Sequence, residues 1–112
     1  MSTFKNKVML IGHVGMDPQL VEIGENRKLV KFSLATNESF RNNKGEWENE
    51  TTWHNIVAWG KLAETLSTKL TKGSELALEG KIRNRVYEDK NGTKRHFTEI
   101  QMSDYIALRL KQ

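Results

Sequence analysis

The chain has 112 residues, enough for one domain and a single hydrophobic core. Charged side chains make up 29% of it and cysteine is absent, which excludes disulfides and thiolate metal sites and fits a reducing cytoplasm. The best apolar run, Val8-Met9-Leu10-Ile11, falls far short of the ~20 residues of a membrane span, and the opening MSTFKNKVML lacks a secretory signal.

Asn6 to Val14 reads as an apolar-rich strand that ends in a turn at Gly15-Met16-Asp17-Pro18. Leu20 to Ile23 forms a short strand and Gly24-Glu25-Asn26 a turn. Leu29 to Asn37 alternates, with Val30, Phe32 and Leu34 set against Lys31, Ser33 and Ala35. A polar stretch, NESFRNNKGEWENE, reads as a long loop. Thr51 to Ala58 is a strand, after which the period changes. Leu62, Leu66 and Leu70 with Ala63 make one helical stripe, Lys69 and Lys72 suit its last turn, and Gly73 suits its stop. Glu75 to Val86 resumes the strand pattern, Asn91-Gly92 signals a hairpin, and Phe97 to Met102 returns. Tyr105 to Leu110 adds a last strand. The order predicts an all-β OB-fold over residues 1–112, a five-stranded Greek-key barrel with one short helix between strands three and four. Such barrels commonly bind oligonucleotides or oligosaccharides on one strand face.

Charge is unevenly spread. The net charge is +4, from 18 basic and 14 acidic residues. Between Lys81 and Arg95, six bases face two acids, so this one segment holds the whole excess and points to a polyanionic partner. Side chains alternate across a strand, so Lys81, Arg83, Arg85 and Tyr87 share a face opposite Ile82, Asn84 and Val86. Three cations beside an aromatic do not make a core, because unpaired buried charge is costly. They suit a nucleic-acid strand, with cations on phosphates and the ring on a base; the competing reading is a charge-protected sheet edge.

The same alternation divides TTWHNIVAWG. Trp53, Asn55, Val57 and Trp59 take one face; His54, Ile56 and Ala58 take the other. With Ile56 and Ala58 inward beside Leu34 and Val86, the two tryptophans face out, where large apolar groups mark a contact. Stacking on bases is one use; burial of either ring in the core or a subunit interface is the other. Phe40 and Trp47, in the polar stretch with Arg41 and Lys44, fit a clamp on a ligand or a pin to the barrel. His54, facing the core, reads as a satisfied buried or interface histidine. The three histidines lack metal-ligand spacing, the glycines compose no phosphate loop, and no nucleophile, base and orienting acid occur together. No catalysis, metal or cofactor is therefore expected.

NKVMLIGHVGMDPQL, FSLATNESFR, TTWHNIVAWGKLAE, LTKGSELALEGKIRNRVY and DKNGTKRHFTEI, in this order and spacing, resemble the bacterial single-stranded DNA-binding protein family over nearly all of Asn6 to Met102. The resemblance implies an OB-fold assembled as a homotetramer that coats single-stranded DNA without sequence preference, in replication, recombination and repair. It places the protein in the bacterial cytoplasm, at the nucleoid. By position it implies base stacking on Phe40, Trp53, Trp59 and Tyr87, phosphate contacts from Lys7, Lys61, Lys72, Arg83 and Arg85, and a subunit contact at His54. Several relatives carry Trp where this chain has Phe40 and Tyr87, and Phe where it has Trp59. Many members end in a disordered tail with an acidic, hydrophobic tip that recruits other proteins. This sequence ends in LRLKQ, so tail-mediated recruitment is not expected of it. An OB-type binder of RNA and a protein-interaction module are the alternatives.

Overall fold

A computed structural model describes residues 5–25 and 27–110. Among these residues six strands and one helix follow in the order β1 (Val8–Val14), β2 (Gln19–Glu22), β3 (Lys28–Arg41), β4 (Trp47–Trp59), α1 (Gly60–Lys69), β5 (Glu75–Glu88) and β6 (Lys94–Arg109). The strands lie in the order β1-β5-β6-β4-β3-β2, and a further β1–β3 pairing closes the sheet into a barrel. β2 is a four-residue edge strand that, among the described residues, pairs with β3 alone, so the barrel proper has five strands and the helix falls between its third and fourth.

Closure depends on β1 serving two neighbours. It runs antiparallel to β5 from Val8↔Gly80 to His13↔Glu75, then pairs with β3 at His13↔Ala35 and Val14↔Leu34. Two glycines permit the tight crossings. A Cβ on Gly12 would lie 2.3 Å from the Ala35 carbonyl oxygen, and one on Gly80 would lie 2.2 Å from that of Gln101. Asn6 extends β1 with its side chain, whose amide donates to the Ile82 carbonyl and accepts from the Ile82 N–H, both at 2.9 Å.

The even-numbered positions fill the barrel. Val14, Val30, Phe32, Leu34, Ile56, Ala58, Leu76, Leu78, Ile100 and Met102 are buried together, and Ala63, Leu66 and Leu70 of the helical segment pack onto them. Lys28 fastens the helix to β3 with a 2.7 Å ion pair to Glu64. Both partners respond: hydrogen bonding to Glu64 raises the Lys28 pKa and hydrogen bonding to Lys28 lowers that of Glu64.

Several details differ from the sequence expectation. The polar stretch 37–50 is a β-hairpin, with β3 and β4 paired out to Arg41↔Trp47. Its strands are exposed on both faces, so they carry no apolar alternation to read. Val57 is only 4% exposed despite sharing parity with the outward tryptophans, because β3 and β6 flank it at Lys31 and Gln101. Val86, expected inside, is 57% exposed, since the β5–β6 hairpin runs beyond the barrel from Lys81 outward. The last two strands are one, β6, kinked where Gly80 pairs with Met102 and Glu79 with Asp104, leaving Ser103 as an extra residue. The helix ends at Leu70, in extended conformation, rather than at Gly73. Gly73 instead donates its N–H to the Val14 carbonyl at 2.7 Å and ties the next turn to β1. Of the turn expected at Gly24-Glu25-Asn26, Asn26 lies outside the described residues.

Candidate nucleic-acid interface

Both hairpins that leave the barrel use one turn chemistry. In the β3–β4 turn the Asn42 side chain accepts the N–H groups of Lys44 and Glu46 at 2.8 and 3.0 Å. In the β5–β6 turn Asp89 accepts those of Asn91 and Thr93 at 2.9 and 3.0 Å. Gly45 and Gly92, each three residues on, supply positive φ of 79° and 77°. Each is a three-residue loop with a glycine in the left-handed region, not the two-residue Asn-Gly turn that the second sequence suggests. The matching spacing of Asn42/Gly45 and Asp89/Gly92 is the signal that would have revealed the first hairpin. Hydrogen bonding from Arg95, then from the Thr93 backbone, holds the Asp89 carboxyl below its ordinary range.

Register then joins distant segments on one outer surface. β4 pairs with β6 at Val57↔Gln101, and β6 with β5 at Gln101↔Lys81, Glu99↔Arg83, Phe97↔Arg85 and Arg95↔Tyr87. Paired residues point to the same side. Trp59, Asn55 and Trp53 therefore share a face with Arg83, Arg85 and Tyr87, on the side away from the core.

The rings are held rather than loose. A Cβ on Gly15 would lie 2.4 Å from the Trp53 ring, so the indole rests on the backbone of the β1–β2 turn while the residue stays 60% exposed. Trp59 is half-buried, with the Arg27 guanidinium 5.3 Å from its ring centre. Arg27, Lys28, Trp59, Gly60, Arg83 and Gln101 line an open groove of about 430 Å³. Arg83 donates to the Gln101 side-chain oxygen at 3.1 Å and leaves charge facing the groove. Arg85 pairs at 3.4 Å with Glu99, a carboxylate only 6% exposed. Tyr87 is exposed toward the hairpin tip.

Other expected residues lie apart from this surface. Lys7 pairs with Glu79 at 3.3 Å beside Lys81 and Gln101, and Lys61 is exposed in the first turn of α1. Lys72 is exposed on the α1–β5 connection, where its backbone N–H bonds Asp17 at 2.8 Å. Phe40 is exposed on the β3–β4 hairpin, opposite Glu48, on the even-numbered face. His54 is half-buried and lies 3.0 Å from the Thr36 hydroxyl. Arg27 has no sequence signal of its own, because only the Leu29↔Trp59 register brings it over a ring 32 positions further along the chain. Among the described residues no cluster of three metal-ligating side chains occurs, and no helix is long and apolar enough to cross a membrane.

A closed five-stranded barrel, one helix between its third and fourth strands, and an outer surface of rings and cations define an OB-fold module. Residues 5–108 match the model of the Single-strand binding protein family, and the chain belongs to that family. It is 45% identical to Single-stranded DNA-binding protein 1 of Chlorobaculum tepidum over 107 residues, 95% of this chain and 66% of that protein. It also resembles the Plasmodium falciparum SSB in complex with ssDNA, with a TM-score of 0.88 and 33% identity over 96% of this chain and 98% of that one.

Proposed function

We propose that this chain binds single-stranded DNA without reading its sequence, in replication, recombination and repair, at the nucleoid of a bacterial cytoplasm. The observation that carries the reading is the single outer surface where Trp53, Trp59 and Tyr87 stand beside Arg83 and Arg85. Rings stack on any base and cations neutralise phosphates, so neither contact depends on base identity. Arg83 and Arg85 stand on that surface, and Lys7, Lys61 and Lys72, which lie apart from it, are further phosphate contacts for a strand that continues past it. The role is non-catalytic: the strand is held, and no bond is made or broken.

Self-association accompanies binding. The outward side of β1, β5 and β6 exposes Met9, Ile11, Ile106 and Leu108 around Ala77, rimmed by the Lys7–Glu79 and His13–Glu75 pairs. An apolar patch with a polar rim has the composition of a subunit contact, which supports a homotetramer, with His54 as a further contact.

Titrating intrinsic tryptophan fluorescence with a thymidine oligomer at two salt concentrations tests the reading. Strong quenching is expected, with the log of the binding constant falling by about 0.7 per neutralised phosphate for each unit of log salt. Binding insensitive to salt refutes it. A matched RNA oligomer separates the RNA-binding alternative, since the 2′-OH is the distinguishing group.

A further inference from the structure

The β3–β4 hairpin sorts its side chains by charge. On the even-numbered face Phe40 pairs with Glu48, and the adjacent pair is Glu38↔Glu50, so this aromatic is set among three carboxylates. On the odd-numbered face the pairs are Arg41↔Trp47, Ser39↔Asn49 and Asn37↔Thr51, with no acid at all. Ser39 donates to Asn49 at 2.7 Å and Thr51 to Asn37 at 2.6 Å, so that face is neutral, polar and stiffened by cross-strand bonds. Trp47 is 69% exposed, and the Arg41 guanidinium lies 5.5 Å from its ring centre.

Position along β4 adds a second argument. Trp47, Trp53 and Trp59 recur every six residues on one strand with equal parity, or about 20 Å apart at strand rise. The odd-numbered face of the hairpin is thus continuous with the barrel surface that carries Trp53.

We propose that Trp47, with Arg41 beside it, is the stacking platform of this hairpin for single-stranded DNA leaving the barrel, and that Phe40 is not. The assignment rests on the single-stranded DNA reading above and deepens it. A polyanion approaching Phe40 meets Glu38, Glu48 and Glu50, whose repulsion opposes contact. One approaching Trp47 meets a cation and a bare ring, which attract phosphate and base together.

The test compares the wild-type 112-residue chain, Trp47→Ala, Trp47→Phe, Phe40→Ala and Trp53→Ala by anisotropy of end-labelled thymidine oligomers of increasing length. This readout does not depend on the protein's own tryptophans, and thermal melts confirm that each variant folds. Trp47→Ala is expected to weaken binding by about 5- to 150-fold on oligomers long enough to reach the hairpin, and less on short ones. Trp47→Phe restores most of that loss, and Phe40→Ala changes affinity less than about twofold. The assignment is overturned if Trp47→Ala binds long oligomers as wild type does, or if Phe40→Ala costs as much. If wild type shows no salt-dependent binding, the underlying DNA reading falls with it; if wild type and Trp53→Ala differ as expected while Trp47→Ala does not, only the assignment falls.

Discussion

Gly15→Ala separates the folding of the barrel from the organisation of its outer surface. The added methyl would sit 2.4 Å from the Trp53 ring and 2.7 Å from the Ser33 hydroxyl, the first about 1 Å inside ordinary van der Waals contact. The nearest atom belongs to the far edge of an indole that is already 60% exposed, so the ring can swing away, and the Ser33 hydroxyl, the next nearest, can turn about its side-chain bond. The expected stability cost is below about 1 kcal/mol, smaller than for overpacking in a closed core. Affinity for a thymidine oligomer falls instead, because the displaced ring must be reset before it stacks. Its ceiling is the full worth of one stacked base, about 1–3 kcal/mol. Gly12→Ala is the contrasting control, since its methyl would meet the Ala35 carbonyl at 2.3 Å, an atom fixed in the β1–β3 crossing. That variant loses stability first. Thermal melts and anisotropy titrations of Gly15→Ala, Trp53→Ala and the double variant complete a cycle. If Gly15 acts through the ring, its substitution costs nothing further once Trp53 is gone. Additive losses, or a Gly15→Ala barrel as unstable as Gly12→Ala, refute the reasoning.

Glu99→Gln removes the buried carboxylate that pairs with Arg85. Freed for a phosphate, Arg85 is expected to tighten low-salt binding and steepen the salt slope by about 0.7; weaker binding would show that Glu99 instead positions the guanidinium. Ile11→Lys puts a charge into the exposed apolar side of β1, and light scattering is expected to show a smaller assembly, because an unpaired charge buried at a contact is strongly unfavourable. An unchanged mass would move the contact elsewhere. Asp89 has a lowered pKa from its bonds to Arg95, Thr93 and Asn91, so its stabilising effect is complete above the ordinary Asp value and is lost as pH falls through the lowered one. Amide shifts of Asn91 and Thr93 should therefore hold steady until the solution is more acidic than a free Asp requires, and Asp89→Asn should abolish that acid transition. Turn opening near neutrality would contradict it.

Where an element lies within the barrel, its own apolar period determined which face turns inward. Val30, Phe32 and Leu34, the Leu62-Ala63-Leu66-Leu70 stripe and the Leu76/Leu78 pair each carry the period of their element, because burial selects apolar side chains at that spacing. The outward tryptophans and the Arg83/Arg85/Tyr87 row were legible for the same reason, by exclusion from that pattern. The β3–β4 hairpin was not, since strands wet on both faces are under no such selection, and only its paired Asn42/Gly45 turn marked it. Tertiary structure alone decided what stands next to what. Gly15 beneath Trp53, Arg27 over Trp59, Glu99 against Arg85 and the burial of Val57 all follow from register between strands far apart in the chain. Local periodicity says which way a side chain points; the closure of the barrel chooses its neighbours.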